Sequence, residues 1–304
     1  MSEFVCEFED KSITVLSNFS STEVFRKNPQ WNRLVLLYHG FPDTKETFEP
    51  LFKDFERRLP GVLLIAPTMR GYERSNLSKD DNYRILNLLI DTKQLIEKIV
   101  GYKKVPVHIL GHDWGAILTY KYISVYPETV LSAVGLAIPY LGSIALWEYV
   151  WYVPWQLYLS SYFLTMQIPY LYRNKVSAIG DYLDGLWSYW SPNWAYTQQD
   201  IRPLKELVKD PVLVESTTAY YRANIRITAL PETTPKIDFE KVPTLFIAGE
   251  VDGCMDLGLS RIAKRKTKSK RAKFDVITGA GHWMHRENPQ AVVKSASEWF
   301  LEYS

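Results

Sequence analysis

The sequence has little cysteine. Among 304 residues only Cys6 and Cys254 carry a thiol, too few for a secretory disulfide framework or a thiolate metal site, so a reducing, cytoplasmic setting is expected. Glycine and proline number 15 and 17, which excludes a collagenous or low-complexity chain. An excess of charge of one sign is missing as well: 36 Lys and Arg face 34 Asp and Glu, a formal net charge of +2. That balance supplies no overall field for nucleic acid or an anionic membrane, so the expected partner is a small molecule. None of the five histidines stands at a metal-ligand spacing from a carboxylate, and neither metal nor cofactor is expected. The N-terminal ten residues, acidic and alternating, lack the basic and then apolar order of a signal peptide and read as a strand. A long apolar run is absent too. The best candidate for a membrane span, Ile144 to Ile168, is broken by Glu148, Pro154, Gln156 and the Ser160-Ser161 pair, so no span is expected. Oligomeric state is left open by composition.

What the chain does have is 46% apolar residues, enough for a substantial core, and a length suited to one large domain with an insertion. Short apolar runs bounded by turn formers read as buried parallel strands: Leu34–Tyr38, Val62–Ala66, Val107–Leu110, Ser132–Leu136, Thr244–Ala248 and Lys273–Ile277. Between them lie helical patterns, most clearly at Asn82–Val100 and Ala291–Tyr303. Strand alternating with helix predicts an α/β fold with a mostly parallel sheet flanked by helices. The alternation stops between about 140 and 230, where the text becomes helical and holds 19 Phe, Tyr and Trp in 91 residues. The expected organisation is therefore a core of 1–139 and 231–304 with a helical cap at 140–230, hinged near Pro139 and 230–235. The basic run from Lys264 to Lys273 reads as a solvated face.

The most specific chemical signal is Val107-His-Ile-Leu-Gly-His-Asp-Trp-Gly-Ala116: a strand, then Gly-x-Asp-x-Gly, then a helical pattern. Small residues around the central one allow a sharp strand-to-helix turn that holds its side chain above the sheet, a nucleophile elbow with Asp113 at its tip. His39-Gly-Phe-Pro42 follows an earlier strand, where the Phe41 backbone N–H would pair with that of Trp114 as an oxyanion hole. A late strand ends at Glu250-Val-Asp252, and the last at Gly281-His282-Trp283. Nucleophile, acid and histidine then come in the order this architecture requires, with Asp252 orienting His282. Competing assignments are His285 for the base and Glu250 or Asp256 for the acid. His282 is preferred because it sits directly at a strand end, where open parallel sheets present their sites. His39 and His112 are expected to pack beneath the site, and His108 within the core.

These four motifs together resemble the epoxide hydrolases of the α/β-hydrolase superfamily, soluble and of the cap-domain type, over almost the whole chain. The resemblance implies two cap tyrosines that donate to the epoxide oxygen. Tyr220-Tyr-Arg-Ala-Asn224 matches one family motif and points to Tyr221; Ser161-Tyr-Phe-Leu-Thr-Met-Gln-Ile-Pro169 matches the other and points to Tyr162, with Tyr158 as fallback. His39, Pro42 and Trp283 are expected to contact substrate. Thr68 and Glu73 depart from the family pattern, which commonly has Asp and Gly there.

An aspartate at the elbow is anionic at pH 7 and needs no base to activate it. It is a poor attacker of carbonyls but can displace a leaving group from saturated carbon, and an epoxide offers such a carbon under ring strain. The expected reaction converts a small apolar epoxide and water to a vicinal diol through an ester of Asp113. Haloalkane and haloacetate dehalogenases, which use the same Asp, His and acid, and a non-catalytic ligand-binding member of the fold, are the alternatives.

Overall fold

In the computed structural model, which describes residues 1–78, 82–177 and 179–304, the apolar runs are all strands. They are β1 (Ser2–Glu7), β2 (Ser12–Ser17), β3 (Arg33–Tyr38), β4 (Val62–Pro67), β5 (Val107–His112), β6 (Ser132–Leu136), β7 (Thr244–Gly249) and β8 (Ala272–Ile277). One eight-stranded sheet results, in the order β1-β2-β4-β3-β5-β6-β7-β8. The run from β4 to β8 is parallel, while β1 and β2 join antiparallel at one edge.

Alternation along each strand divides the core in two. Leu34, Leu36 and Tyr38 enter the cluster that holds Leu88, Leu95, Leu118 and Tyr122 of the helices Ile85–Val100 and Trp114–Val125. Val35 and Leu37 face the opposite cluster, with Phe52 and Phe55 of the helix Phe52–Arg58 and Val293 and Phe300 of the helix Pro289–Glu302. Covering both faces makes every position of β3 apolar after Arg33. Each such side chain contributes roughly 1.5–3 kcal/mol on burial.

Helix boundaries depart from the periodic pattern for local reasons. The helix expected from Asn82 begins at Ile85, whose N–H donates to Asn224 Oδ1 at 3.0 Å, a cap supplied from far along the chain. The last helix begins earlier than expected, at Pro289, because Asn288 caps it and proline suits a first helical turn. The unusual Glu73 anchors its loop: Oε1 accepts from the N–H of Thr14 in β2 at 2.9 Å.

Between β6 and β7 the described residues contain helices and no strand. The apolar stretch at 144–168 breaks into Leu146–Tyr152, Trp155–Leu159 and Tyr162–Gln167, and among the described residues no helix is long and apolar enough to cross a membrane.

Candidate active site

Strand β5 ends at His112, and the chain turns into the helix Trp114–Val125 through a single residue, Asp113, at φ 54 and ψ −119. A non-glycine residue held at positive φ stores roughly 1–3 kcal/mol of strain, so the surroundings must enforce it. They do. A Cβ on Gly115 would lie 2.1 Å from the Tyr38 carbonyl oxygen, which shows how tightly the new helix is pressed against the end of β3. The result stands the Asp113 carboxylate at the N-terminus of a helix, where the macrodipole favours an anion.

The loop after β3 closes over that carboxylate. The Phe41 N–H donates to Asp113 Oδ1 at 2.8 Å, and the Trp114 N–H also bears on the carboxylate. Gly40 permits the approach, since a Cβ there would fall 2.3 Å from Asp113 Oδ1. Burial raises the Asp113 pKa to about 6, against the lowering effects of His282 and the two backbone N–H groups.

Asp113 Oδ2 points elsewhere, toward His282 Nε2 at 3.7 Å. Nε2 is buried and has no hydrogen-bond partner among the described residues, so it stays available for proton transfer. The other ring nitrogen, Nδ1, meets Asp252 Oδ2 at 2.9 Å. Asp252 Oδ1 in turn accepts from the N–H groups of Cys254 at 2.7 Å and Met255 at 3.0 Å. Burial alone would lower the His282 pKa, but the charge and hydrogen bond of Asp252, reinforced by Asp113, outweigh it and hold the imidazole above its ordinary value. The competing residues are occupied elsewhere. His285 Nε2 bonds Thr47 Oγ1 at 2.7 Å, Glu250 accepts from the Gly279 N–H, and Asp256 caps the helix Leu257–Lys266.

Across from Asp113 stand Tyr162 and Tyr221, on the helices Tyr162–Gln167 and Pro211–Asn224, with ring centroids 5.6 Å apart. The Tyr-Tyr-Arg-x-Asn pattern has a structural meaning. Tyr220 donates to the Arg70 carbonyl at 2.7 Å and Asn224 to the Tyr83 carbonyl at 2.9 Å, so these two, one helical turn apart, fix the helix while Tyr221 lies against the rings of Trp114 and Phe41. The Tyr221 hydroxyl is buried; Tyr162 and Trp114 lie near it without meeting hydrogen-bond geometry. The Tyr162 hydroxyl lies 3.7 Å from Cys254 Sγ. Burial, then nearby charge, pushes both phenols well above their ordinary pKa, so both are neutral donors at pH 7. Tyr158 is exposed and packs on Trp155, outside this group.

A cavity of about 560 Å³ joins Asp113, Trp114, Tyr162 and Tyr221, with Ile138, Ile144, Leu157, Phe163 and Met255 among its apolar walls. His39, Pro42 and Trp283, expected to touch substrate, do not line it. His39 is wholly buried behind the loop, donating from Nδ1 to the Gly40 carbonyl and accepting at Nε2 from the Met69 N–H, each at 3.2 Å; burial keeps it neutral by lowering its pKa to about 4. The Pro42 carbonyl accepts from Trp187 Nε1 at 2.9 Å, and Trp283 is enclosed by Trp187, Trp190 and Trp194. These three therefore support the site from behind. His112 does the same, donating from Nε2 to the His282 carbonyl at 3.0 Å, and His108 bonds Ser132 in the core.

Three features were not legible in the motifs. The Trp190 carbonyl accepts the N–H groups of both Gly253 and His282, at 3.1 and 2.9 Å, so one residue of the helical insertion ties down the acid loop and the base loop together. Cys254 lies in the cavity wall, two residues after Asp252, with no sequence signal beyond that adjacency. Asp43, His112 and His285, distant in sequence, bring candidate metal-ligating atoms within 4.8 Å of one another, as do Asp252, Cys254 and His282. In the first group Asp43 already accepts from the Thr44 N–H and Trp283 Nε1, with burial raising its pKa to about 7; the second is the charge pair of the site.

Residues 33–289 match the alpha/beta hydrolase fold family. The chain is 26% identical to human epoxide hydrolase 4 over 269 residues, which cover 86% of this chain and 70% of that protein. It is 28% identical over 277 residues to the AB hydrolase superfamily protein YfhM of Bacillus subtilis, covering 89% of each. Its structure is similar to that of the Cif epoxide hydrolase from Acinetobacter nosocomialis, with a TM-score of 0.71 and 17% identity over 98% of this chain and 88% of that one, a likeness that carries the fold alone. On the span of the family match and the architecture together, this chain belongs to the α/β-hydrolase fold family, and with its epoxide hydrolase relatives it is a hydrolase.

Proposed function

We propose that this protein is an epoxide hydrolase that converts an apolar epoxide to a vicinal diol through a covalent ester of Asp113, with residues 140–230 acting as the lid. One observation carries the reading: the two oxygens of Asp113 have different surroundings. Oδ1 accepts from the Phe41 N–H, and Oδ2 faces His282 Nε2 at 3.7 Å. Oδ2 attacks a ring carbon from behind and the C–O bond breaks. The departing alkoxide takes a proton from Tyr162 or Tyr221, which remain neutral until so strong a base forms. In the ester that results, Oδ1 is the carbonyl oxygen and already lies in the oxyanion hole.

His282 then takes a proton from water as it attacks the ester carbon, and the oxyanion on Oδ1 is held by the N–H groups of Phe41 and Trp114. Esterification also helps the base. It removes the Asp113 charge, one of the influences that keep the His282 pKa high, so the imidazole loses its proton more readily when it has to act. Collapse breaks the bond to Oδ2, which takes the proton from His282 and leaves as the second hydroxyl of the diol; the proton left on Asp113 by the attacking water returns to the tyrosinate, and the carboxylate is restored. The relatives named epoxide hydrolases support an epoxide as the substrate class.

The pH dependence of ring opening follows from Asp113. The carboxylate must be charged, and burial raises its pKa to about 6, so kcat/KM is expected to fall about tenfold per pH unit below that value and level off above it. A profile flat down to pH 4.5 would contradict a carboxylate nucleophile in this environment.

The double variant Tyr162→Phe, Tyr221→Phe tests the substrate class. Removal of both proton donors is expected to lower epoxide opening by about 10²–10⁴-fold, in line with a lost general acid. Diol formation at near wild-type rate in the double variant, or bromide release from a bromoalkane outpacing diol formation in the wild type, would overturn the assignment.

A further inference from the structure

Two features of the sequence supply no group to this chemistry: the aromatic helices at 146–159, N-terminal to Tyr162, and the basic run at 264–273. The fold places them side by side. The helix Leu146–Tyr152 carries Glu148, which pairs with Lys266 and also feels the charge of Arg265. Val153 packs with Leu259 and Ile262 of the helix Leu257–Lys266, and Gln156 of the next short helix accepts from the Asp256 N–H at 2.8 Å. The inner faces of the aromatic helices are thereby latched to the segment that bears the basic residues.

Their outer faces are bare. Trp147, Val150, Trp151, Tyr152, Trp155 and Leu157 are all exposed, Trp151 to 78%. Isolated exposed apolar residues need no explanation, but contiguous large ones mark an interaction surface. In the segment so latched, Lys264, Arg265, Lys268 and Lys270 are exposed and form no ion pair among the described residues. Within the run Lys266 pairs with Glu148 and Lys273 with Asp275, which leaves these four as the exposed unpaired cations that the net charge of +2 conceals.

We infer that this face of the helical insertion docks on an anionic phospholipid bilayer, the aromatic rings entering the headgroup region and the basic run pairing with acidic lipid. Tryptophan and tyrosine are the residues suited to that depth, with an apolar body and a polar edge, and flanking lysines and arginines add attraction to acidic lipid. The helices are separate short segments, none long enough to span. A second feature favours lipid over a protein partner. Leu157 is both exposed on the patch and part of the cavity wall, and Ile144, Tyr149 and Ser160 of the same segment line the cavity too. An apolar compound dissolved in the bilayer thus meets the cavity at the docking face.

The test uses the full chain and vesicles of phosphatidylcholine with and without about 30 mol% phosphatidylserine. Co-sedimentation with the serine-lipid vesicles is expected, weaker with phosphatidylcholine alone, falling as salt is raised, and accompanied by quenching of tryptophan fluorescence by brominated lipid. Replacing Lys264, Arg265, Lys268 and Lys270 together by glutamate is expected to weaken binding at least about tenfold, and Trp151→Glu with Trp155→Glu by a similar factor. Both variants should retain the wild-type melting curve and wild-type turnover of a water-soluble epoxide. Absence of vesicle binding by the wild type, binding that survives both variants, or a concentration-dependent dimer that Trp151→Glu with Trp155→Glu dissolves would each overturn the proposal. Vesicle binding is read without turnover, so its failure is separable from failure of the epoxide reading.

Discussion

Replacing Asp113 by asparagine is expected to abolish diol formation, by a factor on the order of 10⁴ or more, while making the protein more stable at neutral pH. Asparagine keeps the shape of the side chain and tolerates positive φ better than most residues, so the elbow at φ 54 persists. The amide is neutral and far less nucleophilic, which removes the first chemical step. The stability gain follows from the same burial that tunes the reaction. A folded-state pKa raised from 3.8 to about 6 means that the folded protein prefers the neutral carboxyl. The stabilisation is complete below the unfolded pKa and is lost as pH rises through about 6, a difference of about 3 kcal/mol when fully developed. Thermal melts should therefore put the variant above the wild type at pH 8, with the gap closing toward pH 4. A folded Asp113→Asn protein that still turned over epoxide at a comparable rate would remove Asp113 from the mechanism.

His282→Gln is expected to separate the two halves of the reaction. Ring opening uses only the carboxylate and the phenols, so it should proceed once per molecule. Hydrolysis of the ester lacks its base, and steady-state turnover should fall by about 10²–10⁴-fold. Intact-protein mass spectrometry after mixing with excess epoxide should then show one added epoxide mass, located in the peptide that contains Asp113. Such an adduct in wild-type protein should be transient and should lengthen in lifetime at low pH, as His282 becomes protonated. A variant that neither turns over nor accumulates the adduct would show that His282 acts before ester formation.

The parallel strands were legible because both faces of the sheet are covered and the strands read as continuous apolar runs. Strand β2, Ser-Ile-Thr-Val-Leu-Ser, gave no such run, being interrupted by Thr14, framed by serines and paired at the antiparallel edge. The elbow, the acid and the histidine were legible because each lies in the turn that follows a strand, Asp113 directly after His112, Asp252 three residues after Gly249 and His282 five after Ile277, and the glycines of those turns leave a local imprint. The supporting residues leave none. His39, Pro42 and Trp283 lie beside the motifs yet behind the cavity, because a residue next to a site in sequence as often braces its loop as faces its substrate. Trp190 acts through its carbonyl, which any residue could supply, so its tie to Gly253 and His282 is invisible in the sequence. The patch formed by the 144–168 and 264–273 segments was hidden for another reason: neither segment alone exceeds the noise of an ordinary solvated surface, and they are joined by long-range contacts, the Glu148–Lys266 pair, the packing around Val153 and the Gln156–Asp256 hydrogen bond.

The central claim is that Asp113 itself becomes bonded to substrate, and one turnover with enzyme in excess, in water enriched in oxygen-18, tests it most directly. The account predicts a first diol whose incorporated oxygen is unlabelled, because it comes from the Asp113 carboxylate, and a peptide containing Asp113 that has gained one heavy oxygen. A diol labelled in its first turnover, with an unlabelled Asp113 peptide, would mean that water opens the ring directly and would contradict the covalent mechanism.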